Sequence, residues 1–328
     1  MVDGSLIVND MFRHRNIGID MLKVLACLAV VSLHFGSGGF GRRLAVPIFI
    51  FISCYLYSGK GQQRSIIDRL LRLWIPFLVW STWGLIVFCV IKQGLSWHDV
   101  MWQFAFGFPA AQHLYYLLDL ILMTLAIWMI RHVQTKTCAN LILMVLLVIC
   151  LVFQYTGWNY KLCTALHPNM RYTVGRIVEL LPCAIVGDVI GELHFIDRHP
   201  KSSLLCAVAA FIVAVLLFAV YRAMPEGFGY QGLLPFVMAI SICVLGIALG
   251  EKVAGSKYAN QLLPISNLGA LTPGIYFMHD VVGKVIKSLI GLSRGHALVM
   301  VVFFLSAVLA RGLLSSRWTK WMISGGMR

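Results

Sequence analysis

The chain has 328 residues, of which 59% are hydrophobic and only 12% charged, with a mean hydropathy of +0.83. A soluble domain carries about 25% charged residues, so this chain lacks the polar surface to cover itself in water and reads as an integral membrane protein. Its net charge of +14 is scattered between apolar runs, which suits the positive-inside rule and anionic lipid headgroups and argues against nucleic acid as a partner.

Apolar runs long enough for helices fall at 17–35, 44–58, 70–92, 114–131, 138–155, 176–193, 203–221, 231–250, 268–290 and 296–315, judged against the ~20 residues that a span needs. They predict an all-α integral membrane protein, a bundle of about ten transmembrane helices forming one polytopic domain over residues 1–328, with its core at 17–315. With the N-terminus inside, sixteen of the 27 Lys and Arg residues fall in inner segments and nine in outer ones; Lys23 and Lys284 lie within spans. That bias places both termini in the cytoplasm. The first run is long, carries Asp20 and Lys23 and is followed by further spans, so it reads as a retained helix rather than a cleaved signal.

The first span, "DMLKVLACLAVVSLHF", holds Asp20, Lys23 and His34. An ionisable group at mid-bilayer costs about 2.5–3.5 kcal/mol, so these residues need an explanation. At about 100° per residue Lys23 and His34 lie within about 20° of one face and about 16 Å apart along the axis. Asn16, Asp20 and Cys27 share that stripe, and Asp20 and Lys23 are an i,i+3 pair that can neutralise each other. The structural reading is a helix turned to the bundle interior; the functional one is the wall of a cavity, because ionisable residues within a membrane mark substrate paths.

The second run reads "VPIFIFISCYLY" and includes Ser53. The third begins with "DRLLRLWIPF", where Arg69 and Arg72 share a face at the inner edge. They anchor the helix end or form a guanidinium pair for phosphate, which Arg binds in planar, bidentate fashion. The fourth, "HLYYLLDL", brings His113 and Asp119, and the sixth, "RIVELLPCAIVGDVIG", brings the i,i+3 pair Arg176 and Glu179. These suit either a staple between helices or a substrate contact. In "TPGIYFMHD" His279 lies mid-span with Asp280 beside it. The nine cysteines form no CxxC pair and no cluster with histidine, so neither a disulfide framework nor a metal is expected. P-loop and HExxH motifs are absent from the sequence, and so is an internal repeat of the kind that builds inverted-repeat transporters.

These segments, in this order, resemble the acyltransferase-3 family of membrane-bound O-acyltransferases, over residues 17 to about 315. The resemblance implies a bacterial inner-membrane, multi-pass enzyme of ten helices that moves acetyl or other acyl groups onto envelope glycans. Its partners are then acetyl-CoA as donor, a glycan or lipid-linked saccharide as acceptor, and the lipid bilayer. Carried over, the basic residue of the first span falls on Lys23, the histidine on His34, and the arginine pair implicated in acyl-CoA binding on Arg69 and Arg72. Lys23 stands where the family usually has Arg, keeping the charge and losing the bidentate fork. Ser53, Cys54 and Tyr55 stand where the family has a serine, a glycine and an aromatic residue. The expected reaction is O-acyl transfer with His34 and Lys23 as catalytic residues and Asp20, Ser53, His113, Arg176, Glu179 and His279 along the substrate cavity. The alternative is a transporter or flippase for a lipid-linked glycan, which would use the same in-membrane charges without consuming CoA.

Overall fold

The computed structural model describes residues 16–36, 41–59, 65–92, 94, 96–107, 112–133, 135–156, 168–222, 233–254, 256, 260–291, 294–316 and 319–324. Among them no strand occurs, and ten helices have 18 residues or more. These are α1 (Ile17–Phe35), α2 (Gly41–Ser58), α3 (Ile66–Lys92), α5 (Tyr115–Val133), α6 (Lys136–Thr156), α7 (Pro168–Glu192), α9 (Pro200–Arg222), α10 (Leu233–Ala254), α11 (Leu263–Ile290) and α12 (His296–Ser315). Three short helices accompany them: α4 (Trp97–Phe106), α8 (Phe195–Arg198) and α13 (Trp321–Ser324). Each expected span coincides with one of the ten. Six of them (α1, α3, α5, α6, α10 and α12) are long and apolar enough to cross a membrane by length and composition. α11 is a continuous helix that carries Asp280, Lys284 and Lys287, and α2 and α9 contribute shorter apolar stretches, Leu44–Ser58 and Pro200–Leu216.

Local chemistry sets the helix ends. The Asn16 side chain accepts the Ile19 N–H at 3.1 Å and starts α1, while its amide donates to the Ile247 carbonyl of α10 at 2.9 Å. Ser96 and Asp99 form a reciprocal capping box at the start of α4, which ends on Gly107 at φ 78°. This helix lies between the third and fourth apolar runs. Gly291, at φ 67°, closes α11.

α1 is the centre of the packing, in contact with α2, α10, α11 and α12. α7 lies along α2 through Gly187 and Gly191, four residues apart. A Cβ at either would fall 2.5 Å from a backbone oxygen, that of Phe51 or of Tyr55 respectively. Small residues at this spacing let two helices approach closely where no hydrophobic effect drives them together. Gly269 gives α11 the same access to Asp20.

Polar residues collect at two ends of the bundle. The Asn16 end holds Ser58 of α2, Arg131 of α5, and Asp188 and Glu192 of α7. Arg131 Nε donates to Asp188 at 2.6 Å, and the Ser58 hydroxyl donates to the other Asp188 oxygen. The His34 end is built where the Gly295 N–H, leading into α12, donates to the Phe35 carbonyl at 2.9 Å.

Candidate functional site

His34 occupies the last turn of α1 and is partly buried. Its ring centre lies 5.1 Å from that of His279 on α11 and 6.2 Å from that of His113, which sits in the single 3-10 turn Gln112–Leu114 before α5. The rings of His113 and His279 are 4.8 Å apart. Three imidazoles from three elements, far apart in sequence, therefore meet at one end of the bundle. Gly283, one turn beyond His279, is where Phe35 packs, since any Cβ there would overlap its ring.

α11 supplies the partners of two of the three rings. His113 Nε2 stands 3.2 Å from the Phe277 carbonyl and its Nδ1 3.6 Å from the Asp280 carboxylate. Lys284 donates to the same carboxylate at 2.7 Å. His279 Nδ1 lies 2.6 Å from the Tyr276 carbonyl, and the Tyr276 hydroxyl donates to the carbonyl of His113. Among the described residues no three His, Cys, Asp or Glu side chains are arranged to hold a metal ion.

Two cavities lead from the other end toward this cluster. The first, of about 350 Å³, is lined by Asn16, Asp20, Lys23, His194, Asp197 and Glu251 among others. The second, of about 190 Å³, is walled mostly by Phe49, Ile52, Leu56, Tyr116 and Phe277, with Ser53 and Thr272 as polar points. Lys23 and Leu56 line both, so the two cavities share a wall at Lys23. The second reaches Tyr276, whose ring centre is 5.8 Å from His113 and 5.7 Å from His279.

The residues singled out in the sequence therefore divide. Lys23 and Ser53 line the cavities, and His34, His113 and His279 stand together beyond Tyr276. Asp20 pairs with Lys23 at 3.5 Å and accepts the Ser266 hydroxyl of α11 at 2.6 Å, so it holds the lysine and couples α1 to α11 instead of approaching His34. Arg176 turns across to Asp119 of α5 at 3.1 Å, with its guanidinium 4.1 Å over the Tyr115 ring. Glu179, one turn along α7, is partly buried, and its carbonyl accepts from Gln154 at 3.2 Å.

Arg69 and Arg72 differ. The Arg69 guanidinium donates to the Ser53 carbonyl at 3.1 Å and the Thr124 hydroxyl at 3.2 Å, and it lies 4.0 Å over the Tyr57 ring. It pins α3 to α2 and α5 beside a narrow pocket that also contains Arg131 and Asp188. Arg72 is partly exposed and makes no hydrogen bond or ion pair among the described residues. Tyr276 and Lys284, which complete the histidine end, are not singled out as site residues by the sequence. The signal that could have found them is helical spacing, because Tyr276, Asp280 and Lys284 succeed one another at i,i+4.

An acyltransferase domain model, that of the acyltransferase-3 family, matches residues 16–315, nearly the whole chain. The chain belongs to this family. Its several apolar helices fit the assignment, and the protein is a multi-pass membrane acyltransferase. Comparison with curated proteins and with solved structures finds no match.

Proposed function

We propose that the protein transfers an acyl group, acetyl in the first instance, from cytosolic acyl-CoA to a hydroxyl of a cell-surface or lipid-linked polysaccharide. In this reading all ten long helices cross the inner membrane of a bacterium, both termini are cytoplasmic, and residues 1–328 form one domain. The observation that carries it is the pair of cavities that share Lys23 in their walls and extend from the Asn16 end to Tyr276, whose ring stands against His113 and His279. A cytosolic thioester and an acceptor on the other side of the membrane need such a path.

The first cavity offers Asn16, Asp20 and Glu251 to the amides of the pantetheine arm, and the Lys23 ammonium stands where the arm enters the apolar second cavity. Arg72, uncommitted at the helix end, is the guanidinium available to the CoA phosphates, while Arg69 holds the wall. Tyr276 must turn aside for the thioester to reach the histidines. His34 then takes the proton of the acceptor hydroxyl as its oxygen attacks the thioester carbonyl. A C–O bond forms, the C–S bond breaks, and CoA leaves as the thiolate, which receives the proton from His34. His113, held between the Phe277 carbonyl and Asp280, borders the same space.

The test is incorporation of radiolabelled acetyl from acetyl-CoA into envelope glycan by the purified protein, read with glycan mass spectrometry of cells with and without the gene. One acyl mass on the glycan is the expected difference. A transporter or flippase would move glycan without consuming acetyl-CoA, and that result would overturn the reading.

A further inference from the structure

The three imidazoles are not equivalent. His279 is fully buried, at 0% exposure. Its Nδ1 faces the Tyr276 carbonyl at 2.6 Å, and a carbonyl only accepts, so Nδ1 carries the proton. In the neutral ring Nε2 is then a bare lone pair. That nitrogen is buried and has no hydrogen-bond partner among the described residues. A stranded buried acceptor is costly, and it calls for a donor.

The donor at hand is His34. An N–H···N bond joining two imidazoles separates their ring centres by about 5 Å, and these two stand 5.1 Å apart. Among the described residues His34 makes ring contacts with Phe35, His113 and His279 and no hydrogen bond. His113 is the poorer partner, because both its nitrogens are directed at α11 and its ring is farther away, at 6.2 Å.

We propose that His279 is a positioning residue for the acyl transfer, its Nε2 accepting the N–H of His34. The bond is made as the His34 ring turns to receive substrate. It fixes which His34 nitrogen remains to take the acceptor proton, and it spreads the charge His34 gains when it does so. This is the arrangement of a base oriented by a third group, with a neutral imidazole where a carboxylate often stands. It rests on the acyl-transfer reading above.

The test compares the purified full-length protein with two variants. His279→Phe keeps an aromatic ring and loses the lone pair, and His279→Gln returns an acceptor oxygen near the position of Nε2. With acetyl-CoA as donor and water as acceptor, His279→Phe should lower kcat about a hundredfold and leave KM within about twofold. His279→Gln should recover a large part of kcat. A merely structural role would not distinguish Gln from Phe in kcat at equal thermal stability. A second readout needs no turnover: the rate at which diethyl pyrocarbonate modifies His34, followed by peptide mass spectrometry. That rate should fall several-fold in His279→Phe and return in His279→Gln. An unchanged His34 rate in both variants, or a His279→Phe enzyme with normal kcat, would overturn the proposal. Absence of acetyl transfer from acetyl-CoA to glycan by the unsubstituted protein, with the His34 response intact, would instead overturn the acyl-transfer reading and leave the His34–His279 pairing standing.

Discussion

The two ends of the bundle use their polar side chains differently. At the Asn16 end opposite charges meet: Arg131 with Asp188, Lys136 with Glu192, Lys23 with Asp20. At the His34 end a histidine makes no hydrogen bond among the described residues, and a second leaves a ring nitrogen buried without a partner. A buried charge missing its partner is destabilising, so matched pairs hold helices together. An imidazole lone pair left open costs stability and is what proton transfer requires. The contrast separates residues that keep the bundle assembled from those poised to react.

The strongest way to break this contrast is to remove His34. His34→Ala should reduce acyl transfer by at least about a hundredfold, with normal expression, membrane insertion and CoA binding, since deleting a polar group from a span does not oppose insertion. Retained turnover at a normal protein level would return His34 to a packing role. The next largest effect belongs to the opposite end. Arg131→Ala should cost about 3–5 kcal/mol of stability, because Asp188 is 2% exposed and would keep, among the described residues, the Ser58 hydroxyl as its remaining hydrogen-bond partner. Thermal unfolding in detergent would measure this, and the double replacement Arg131→Met with Asp188→Leu should recover most of the loss. An Arg131→Ala protein that is fully stable yet inactive would put Arg131 in the chemistry and dissolve the contrast.

Arg69 and Arg72 sharpen it within a single helix turn. Arg72→Lys should weaken acyl-CoA binding by the loss of one charged hydrogen bond, about 1.5–3 kcal/mol, with little change in stability. Arg69→Lys should do the reverse, since its fork bridges Ser53 of α2 and Thr124 of α5. Equilibrium binding and thermal unfolding on the same two variants would decide between them. Equal effects on donor binding would make the pair one phosphate site, as the family resemblance implies.

How far the sequence reveals this division depends on the range of the interaction. α1 runs over Ile17–Phe35 as its apolar run predicts, because Asn16 caps it where hydropathy begins. Asp20 and Lys23 pair as their i,i+3 spacing suggests. α7 begins at Pro168 rather than near residue 176, since a hydropathy window does not register the polar turns that extend a helix beyond its apolar stretch. α4 is legible in principle from Ser96 and Asp99, a capping box three residues apart, but at ten residues it falls outside a search for runs long enough to span a membrane. Arg176 shows the limit most plainly. Spacing within the helix points to Glu179, and the fold adds Asp119 from another helix, which no local rule could supply. The meeting of His34, His113 and His279 likewise depends on helix packing, so the sequence marked them singly and the structure joined them.

The smallest expected effect tests whether burial, and not charge pairing as such, gives the Asn16 end its strength. Lys136 and Glu192 are 2.8 Å apart, as close a pair as many in the core, but the lysine side chain is 62% exposed. Water already solvates that ammonium, and ordering a long side chain offsets most of the Coulomb gain, so an exposed pair contributes about 0.2–1 kcal/mol. Lys136→Ala should therefore shift the unfolding temperature far less than Arg131→Ala, and the shift should shrink further in high salt. The Arg131→Ala loss should change little with salt, because its partner is enclosed between α2, α5 and α7. If both substitutions destabilised equally, the end would be held by summed surface charge, and the distinction drawn between paired helix staples and an open catalytic end would have to rest on the histidines alone.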